Sequence, residues 1–324
     1  MIEKSIKDIH TSALGFGCWA IGGTWNNISD SESIDAIKAA VDKEITFFDV
    51  APVYGLGHAE TILGKGLQGI DRSTVTIATK CGLVWNEQKQ VRNDLSPESL
   101  FREVDESLAR MNTDYIDLYQ VHWPDPNVAI SETADALAEL KRLGKIRHVG
   151  VSNYSIDMVK EMMARVEVAT FQGLYNLLEQ NPTHYHNIPL QYRAREEVLP
   201  FCQEHDMKYL PYSPLMQGLL TGNFKASGNF DNRDDRSNNP KLNGELFEKY
   251  FGCTEQLKTL ANAANIPLAH LAIHWLIAQK EVGPVIAGAH TVQQVQENAK
   301  FVNSEVTQAL LHEAASIVAK WQLG

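Results

Sequence analysis

The stretch that decides the fold is residues 47–55, Phe47-Phe48-Asp49-Val50-Ala51-Pro52-Val53-Tyr54-Gly55. An apolar run reaches a carboxylate at Asp49, and Pro52 then interrupts it. This pattern is typical of a short buried strand that ends on an acid. Tyr54 falls in the loop that follows, beside Gly55, where the backbone can approach a ligand closely. The stretch therefore predicts a strand with an acid and a phenol at its carboxyl end.

Two later apolar runs end in a comparable way. Residues 75–79 lead to Lys80, and residues 115–121 lead to His122. An ammonium group near a phenol favours the phenolate and lowers the phenol pKa from its usual value of ~10. A carboxylate would hold the ammonium group, and an imidazole would orient a substrate carbonyl. The four groups together predict a proton relay that protonates a carbonyl while another group delivers hydride.

Each of these residues also has a structural alternative. Asp49 and Lys80 could form an ion pair that only stabilises the fold, and Tyr54 could simply pack, because structural ion pairs also occur near clefts. The occurrence of all four residues at strand ends favours the functional interpretation.

The rest of the chain alternates strand patterns with helix patterns. Strands are predicted at 14–16, 47–49, 75–80, 115–121, 146–151, 170–174, 208–212 and 284–287. Helices are predicted at 31–43, 60–67, 97–111, 130–143, after a capping Ser155, and at 196–205, 267–279 and 291–301. Eight strand–helix units imply a parallel (β/α)8 TIM barrel with its active site at the carboxyl ends of the strands. We expect a single domain over residues 1–324, a polar hairpin in residues 1–12, and extra helices after residue 240 and near the C-terminus.

Two stretches interrupt the alternation. Residues 179–195 contain His184 and His186, but no carboxylate or cysteine is spaced with them as a further ligand, so a polar loop is predicted and no metal site. Residues 221–243, the long loop after strand 7, are rich in Gly, Asn and Asp, which predicts a lid or binding loop.

A dinucleotide fingerprint is present formally in Gly15-x-Gly17-x-x-Ala20. That fingerprint requires a helix directly after the glycine turn, whereas residues 21–26 are predicted to be a loop. The sequence therefore disfavours a Rossmann fold.

Composition narrows the classes of partner. The chain has 324 residues, 44% of them hydrophobic, and a net charge of −11, which disfavours nucleic acid and anionic membrane surfaces. No run approaches the ~20 apolar residues of a membrane span, and the first residues lack the apolar core of a signal peptide. Four scattered cysteines fit a reducing cytoplasm.

Several of these motifs together resemble the aldo-keto reductases, a family that includes potassium-channel β subunits. The matching sequence motifs are Phe48-Asp49-x-Ala51-x-x-Tyr54-Gly55, Glu60 with Leu63-Gly64, and Thr79-Lys80. The resemblance covers nearly the whole chain. Val50 stands where the family usually has Thr. The resemblance implies four catalytic residues: Asp49, Tyr54, Lys80 and His122.

The resemblance also implies a nicotinamide cofactor across the barrel mouth, NADP(H) with NAD(H) as an alternative. Ser152, Asn153 and Gln172 would hold its carboxamide. The implied cofactor-binding residues are Gly17, Trp19, Ser152, Asn153, Gln172, Tyr212, Ser213, Leu215, Gln217, Gly218, Leu220, Arg236, Gly288, Gln294, Glu297 and Asn298.

The place of the cofactor 2′-phosphate departs from the family pattern. His290 and Asn223 stand where a basic or hydroxyl residue and a Lys are frequent. Arg236 would supply the missing charge, unless it is a solvated loop residue. Trp19, Trp85 and Trp123 would either wall a substrate pocket or pack the rim.

The sequence thus predicts a cytoplasmic NADPH-dependent reductase of aldehydes and ketones, reversible toward alcohols or aldose sugars. The alternative is a cofactor-sensing regulatory subunit with little turnover. The predicted partner of the protein is a small-molecule carbonyl or alcohol substrate. The sequence does not predict an oligomeric state.

Overall fold

The computed structural model describes residues 1–23, 28–224 and 235–323, and its centre is a closed barrel of eight parallel strands. The strands are β1 (Leu14–Gly17), β2 (Phe47–Asp49), β3 (Thr76–Cys81), β4 (Ile116–Val121), β5 (Ile146–Ser152), β6 (Val168–Leu174), β7 (Lys208–Tyr212) and β8 (Val285–Gly288). Each strand pairs with the next one in the chain, and β8 pairs back to β1. The predicted (β/α)8 barrel is confirmed.

Helices surround this barrel. They are α1 (Asp30–Asp42), α2 (His58–Gly66), α3 (Pro97–Met111), α4 (Ile130–Arg142), α5 (Ile156–Met163), α6 (Leu199–Glu204), α7 (Gly244–Ala263), α8 (Leu268–Ile277), α9 (Val292–Ala299) and α10 (Gln308–Trp321). The helix α7 and the C-terminal α10 are the expected additions to the eight-fold pattern.

Two helix starts follow directly from their capping residues. Ser96 accepts a hydrogen bond from the backbone of Ser99, and Pro97 occupies the first helical position, where its missing N–H costs nothing. Ser155 caps α5 in the same way through the backbone of Met158. Both starts lie where the sequence predicts them.

In the part of the chain that the structure describes, three antiparallel hairpins accompany the barrel. The expected hairpin pairs Glu3–Ile6 with Ile9–Ser12, and Ile6 packs under the barrel with Phe47 and Leu118. The other two pair Leu83–Trp85 with Val91–Asn93 and His184–Tyr185 with Ile188–Pro189. The sequence analysis missed both, because strands of two or three residues are too short to show an alternating pattern.

The structure refines the loop predicted at residues 21–26, the lid predicted at 221–243 and the helix predicted at 196–205. After β1 the chain makes a 3-10 turn, Ala20–Gly22, where a Rossmann fold would have an α-helix. Residues 24–26 of that predicted loop lie outside the described residues, as do residues 225–234 of the predicted lid. A 3-10 turn, Met216–Thr221, leads into the predicted lid, and its described part contains two more at Asp235–Asn238 and Pro240–Leu242. The helix predicted at 196–205 is shorter, because a π-helical turn, Ala194–Val198, precedes α6.

Ion pairs link neighbouring strands at the amino-terminal end of the barrel. Asp117 on β4 accepts hydrogen bonds from Arg72 at 2.6 Å and from Arg147 at 3.1 Å. The two guanidinium groups also lie over the ring of Tyr115, at 4.1 and 4.0 Å from its centroid. These contacts fasten the strands β3, β4 and β5 to one another at the end away from the carboxyl-terminal mouth.

All four cysteines, Cys18, Cys81, Cys202 and Cys253, are free and buried. Among the described residues, no single helix has the length and apolar character to cross a membrane. One pair of helices, α7 and α8, meets that test only jointly and is bent by 93°.

Candidate active site

The four predicted catalytic residues converge at the carboxyl ends of β2, β3 and β4. Lys80 on β3 donates to Asp49 Oδ1 at 2.7 Å and to the backbone oxygen of Val50 at 2.9 Å. The same ammonium group donates to the Tyr54 hydroxyl at 3.2 Å. His122 follows β4, and its ring centroid lies 5.9 Å from that of Tyr54. The structure therefore brings all four side chains into one cluster.

Glycines hold the Tyr54 loop in place. Gly55 adopts a φ of +64°, and a Cβ there would lie 1.9 Å from the backbone oxygen of Gly22. Any side chain at position 55 would therefore push the loop away from the 3-10 turn that follows β1. This close approach explains why the phenol reaches the strand end that carries Lys80.

Burial governs the ionisation of Tyr54. Its side chain is 8% exposed, and desolvation followed by the charge of Asp49 raises the pKa of the phenol well above its usual value of ~10. The sequence analysis predicted a lowered pKa because of Lys80. That direction is wrong here, since burial and the carboxylate outweigh the ammonium group. The phenol is consequently protonated at neutral pH, which is the form that can donate a proton.

The imidazole of His122 is neutral at neutral pH. Burial lowers its pKa well below 6.5, and the Lys80 ammonium group lowers it further. A neutral imidazole can hydrogen-bond a carbonyl oxygen without adding charge to the site. The backbone oxygen of His122 accepts from Asn153 at 3.3 Å, which connects the end of β4 to the end of β5.

One residue in this cluster escaped the sequence analysis. Gln120, two positions before His122, donates to Asp49 Oδ2 at 3.4 Å, and Gln172 donates to the same oxygen at 2.7 Å. A glutamine inside a fully buried strand was the available signal, because a buried amide requires polar partners.

A cavity of about 950 Å³ opens above the cluster. Its lining includes Asp49, Tyr54 and His122, whereas Lys80 is fully buried beneath it. Of the predicted cofactor and substrate residues, the lining contains Gly17, Trp19, Trp123, Ser152, Asn153, Gln172, Tyr212, Ser213, Leu215, Gln217, Gly218, Arg236, Gly288, Gln294, Glu297 and Asn298. Two of the predicted residues do not line the cavity. Leu220 is fully buried, and Trp85 lies on the hairpin strand Leu83–Trp85.

Polar groups surround the part of the cavity next to Asp49 and Tyr54. Asn153 directly follows β5 with a φ of +60°, a left-handed conformation that asparagine tolerates better than most residues. Its amide nitrogen donates to Ser152 Oγ at 3.0 Å, and its oxygen accepts from the Tyr212 hydroxyl at 3.0 Å. This network fixes three of the residues that the family resemblance assigns to the cofactor.

The loop after β7 bends sharply along the cavity. Gln217 and Gly218 have φ values of +50° and +100°, and Asn239 donates to Gln217 Oε1 at 2.9 Å. A Cβ built on Gly218, or on Gly288 at the end of β8, would meet no atom of the described residues within 4 Å. The backbone at both places therefore borders open space, and a bulky ligand can approach it closely. The cavity volume and this open backbone fit a dinucleotide.

The far end of the cavity combines several charged groups. His290 lies between Gly288 and α9, and burial lowers its pKa from 6.5, with a further lowering by Arg236 and an opposing effect of Glu32. Arg236 and His290 therefore act on the same region of the cavity. Gln294 accepts from the backbone N–H of His290 at 2.9 Å. The Glu297 carboxylate pairs with Lys300 at 2.7 Å.

Aromatic rings form the other wall. Trp19 meets Tyr54 edge to face at 4.9 Å between ring centroids, and Trp123 lies 6.5 Å from Tyr185. Tyr185 and Ile188 come from the His184–Pro189 hairpin and line the cavity. The sequence analysis did not identify either residue, because their role depends on how the hairpin folds over the mouth.

No cluster of three or more His, Cys, Asp or Glu side chains in the described parts of the chain is arranged to hold a metal ion. The backbone oxygen of His184 accepts from Lys241 at 2.8 Å, and a ring nitrogen of His186 lies 3.2 Å from Gln217. The two histidines thus contribute to contacts between the hairpin and the loop after β7.

Comparison with known proteins gives a consistent result. The profile of the aldo/keto reductase family matches residues 13–319. The chain belongs to the aldo/keto reductase family. As a member it is an NAD(P)H-dependent oxidoreductase.

Individual relatives cover almost the entire chain. The aldo-keto reductase YhdN of Bacillus subtilis is 38% identical over 301 residues, which are 91% of this chain and 87% of the relative. An NADH-specific methylglyoxal reductase of Escherichia coli is 34% identical over 98% of this chain and 99% of its own length. The solved structure of a glycerol dehydrogenase from Gluconobacter oxydans superimposes with a TM-score of 0.88 at 32% identity, covering 99% and 96% of the two chains.

The predicted kinship with channel subunits is also found. A probable voltage-gated potassium channel subunit beta of Arabidopsis thaliana is 30% identical over 91% of this aldo/keto reductase and 88% of its own length.

Proposed function

We propose that this aldo/keto reductase is an NADPH-dependent reductase of uncharged aldehydes and ketones, reversible toward alcohols and aldose sugars. The observation that carries the proposal is the hydrogen bond of 3.2 Å from the Lys80 ammonium group to the Tyr54 hydroxyl at the floor of the cavity. It joins a proton donor that faces the cavity to a buried cation that stabilises the phenolate left after proton transfer.

The proposed roles follow from charge and position. Tyr54 donates its proton to the carbonyl oxygen in reduction and takes it back in oxidation. Lys80 stabilises the phenolate, and Asp49 keeps Lys80 charged although it is fully buried. Neutral His122 orients the carbonyl oxygen by a hydrogen bond. When bound, the nicotinamide cofactor supplies the hydride.

The proposed cofactor contacts extend from the cluster to the far end of the cavity. Ser152, Asn153 and Gln172 would hold the carboxamide, and the ring of Tyr212 would stack on the nicotinamide. The nitrogen of Gln172 is used by Asp49 and Gln120, so its oxygen is the atom left to accept from a carboxamide N–H. The open backbone at Gly218 would adjoin the pyrophosphate.

The preference for NADPH is supported by charge at the far end of the cavity. Arg236 and His290 both line it, and an arginine can grip a phosphate through two parallel hydrogen bonds. The Escherichia coli relative is described as NADH-specific. Both cofactors must therefore be compared on this protein directly.

The proposal of an uncharged substrate rests on the wall next to Tyr54. The side chains that form it are Trp19, Val53, Leu83, Trp123, Tyr185 and Ile188, and these six carry no formal charge. An unpaired charge buried against this wall would cost more than the roughly 2–7 kcal/mol of an unpaired uncharged polar group. Carbonyl compounds with apolar, aromatic or hydroxylated substituents fit this surface better.

The decisive experiment is a screen of the purified protein at 340 nm with NADPH and NADH. Aldehydes, ketones, quinones and sugars would serve as oxidants, with 2-keto acids as charged controls. Turnover of several uncharged carbonyls, with little turnover of the keto acids, is the expected result. Tight cofactor binding with negligible turnover would instead support the regulatory subunit, the function by which the plant relative is named.

A cytoplasmic location is part of the proposal. It is supported by four free cysteines that form no disulfide, as is usual in a reducing compartment.

A further inference from the structure

The second oxygen of Asp49 is held by two glutamines. Lys80 donates to Oδ1, whereas Oδ2 accepts from Gln172 Nε2 at 2.7 Å and from Gln120 Nε2 at 3.4 Å. Gln172 Nε2 also donates to Gln120 Oε1 at 3.4 Å. Because a carboxylate only accepts hydrogen bonds, both amides must turn their nitrogens toward it. The carboxylate and the two amides thus form one closed network.

Gln120 reaches this network from within the barrel wall. The strand register places it beside Lys80 on β3 and Gly150 on β5. A Cβ on Gly150 would lie 2.9 Å from Gln120 Cγ and 2.3 Å from Thr170 Oγ1, so the glycine leaves the space that the glutamine occupies. Gln120 is fully buried and lies outside the cavity lining, which does include Gln172. It can therefore influence a bound molecule only through its neighbours.

We propose that Gln120 is a positioning residue of the proton relay, which fixes the orientation of the Asp49 carboxylate and offsets part of its charge. In this way it sets how readily Tyr54 releases its proton. The inference rests on the proposed function of Tyr54 as the acid. A buried carboxylate needs more than one partner, because every lone pair left without a donor adds to its desolvation cost. Gln120 and Gln172 supply the donors for the oxygen that Lys80 does not reach.

The direction of the effect on Tyr54 follows from the charges around it. The ionisable groups that act on the cluster come from four parts of the barrel, namely Asp49, Lys80, His122 and Cys18. The negative charge of Asp49 raises the pKa of the phenol. The N–H dipole of Gln120 points its positive end at that charge and opposes this effect. Removing the amide should raise the pKa of Tyr54 further.

The test is Gln120→Leu, which keeps the volume and removes both polar atoms. Alcohol oxidation needs the phenolate, so its rate should fall about three- to tenfold at pH 7. The basic limb of its kcat profile should move upward by about half to one pH unit. The dissociation constant of NADP⁺, measured by quenching of protein fluorescence, should stay within about twofold, because Gln120 does not line the cavity. An unchanged basic limb in the folded variant would overturn the proposal.

A second variant keeps the proposal open to test if Gln120→Leu does not fold. In the Gln120→Glu variant, the new carboxyl group can donate a hydrogen bond to Asp49 only while it carries a proton. Two adjacent carboxyl groups share one proton, and the pKa of that shared proton is raised. Carbonyl reduction should therefore approach the wild-type rate in acidic buffer and fall as the pH rises, whereas the wild-type rate should stay flat because its Tyr54 phenol remains protonated. A profile parallel to that of the wild type would refute the role of Gln120.

Two controls separate this inference from the function on which it rests. Gln279→Leu removes an amide that bonds to Tyr175 at 2.8 Å near the amino-terminal end of β8, and it should leave the pH profile unchanged. Tyr54→Phe tests the acid itself. If Tyr54→Phe keeps its turnover, the proposed function fails. If Tyr54→Phe is inactive but Gln120→Leu behaves like the wild type, only the inference about Gln120 fails.

Discussion

A buried aspartate paired with cations occurs at each end of the barrel, and the two sites differ in their surroundings. Asp49 at the carboxyl end of β2 and Asp117 near the amino end of β4 are both 3% exposed and both pair with cations. Asp117 holds two arginines that are themselves partly exposed. Asp49 holds a lysine that is fully buried and also touches a phenol. The cations reach a tyrosine at both ends, but Lys80 donates to the hydroxyl of Tyr54, which lines the cavity, whereas the arginines lie over the ring of Tyr115.

The difference also appears in the energetics. The charge of Lys80 has been removed entirely from water, which is costly even when a carboxylate compensates it. Arg72 and Arg147 keep part of their hydration and stack on Tyr115 as well. The amino-terminal end thus gains stability from its charges, whereas the carboxyl-terminal end accepts a cost to keep an ammonium group beside Tyr54. This division agrees with the usual placement of active sites in such barrels.

The largest expected effect comes from removing the phenol. Tyr54→Phe deletes the proton donor but keeps the ring that contacts Trp19. Turnover should fall by roughly 10²–10⁴-fold, the usual contribution of a general acid, while NADPH affinity stays nearly unchanged. Steady-state rates and a fluorescence titration measure the two quantities. Near-wild-type kcat with hydride transfer rate-limiting would show that Tyr54 is not the acid.

The comparison of the two aspartates can be tested by the same substitution at each end. Asp117→Asn should lower the free energy of unfolding by about 3 kcal/mol, because it breaks a buried charge network. Its kcat should remain within about twofold of wild type, since the network lies away from the cavity. Asp49→Asn should instead reduce kcat strongly.

Urea denaturation and kcat measured on both variants check the comparison. If Asp117→Asn lost turnover in its folded state, or Asp49→Asn kept full activity, the division between the two ends would be wrong.

A smaller effect is expected on the pH profile when the ammonium group is removed. Lys80→Met deprives the phenolate of its stabilising cation, so the basic limb of alcohol oxidation should move upward by about 1–3 pH units. Lys4→Met is the matched control at the other end, where Lys4 donates to the backbone of Ile277 and Gln279. It should leave the limb in place. An unmoved limb in a Lys80→Met variant that still turns over would contradict the role of Lys80.

The smallest expected effect concerns cofactor choice. Unlike Arg72 and Arg147, Arg236 lines the cavity, where Arg236→Ala should weaken NADPH binding by about 10- to 150-fold and leave NADH binding almost unchanged. Because burial keeps His290 neutral, NADPH affinity should be flat through neutral pH. It should rise only at a pH below the ~6.5 expected for an unperturbed histidine.

Isothermal titration with both cofactors measures these affinities, and Arg142→Ala, an exposed arginine on α4, serves as the control. Equal losses for NADPH and NADH would exclude Arg236 as the residue that recognises the 2′-phosphate.

The sequence predicted the carboxyl end of each barrel strand to within one residue, and in β2, β3 and β4 an apolar run leads to a polar residue near that end. The predicted strand 208–212 and helix 97–111 coincide with β7 and α3. Local signals were sufficient there, since a capping serine and a proline specify where α3 begins. The same logic located Asp49, Lys80 and His122.

Features that depend on the third dimension were not predictable in this way. The pKa of Tyr54 is raised because the loop buries the phenol, and its spacing in the sequence carries no measure of burial. The position of Gln120 in β4 carries no sign of its partners until the register places it beside Lys80. Tyr185 enters the cavity wall only because a short hairpin folds over the mouth.

The burial of the cysteines has a consequence for the chemistry that this protein is proposed to perform. Burial raises the pKa of the Cys202 and Cys253 thiols to about 12 and those of Cys18 and Cys81 well above 9. Thiolates are the nucleophilic form of cysteine, and at neutral pH these four side chains remain thiols inside the fold. Aldehydes are electrophiles that add to exposed thiolates. A reductase that handles them throughout its working life therefore presents no thiolate of its own for its substrates to inactivate.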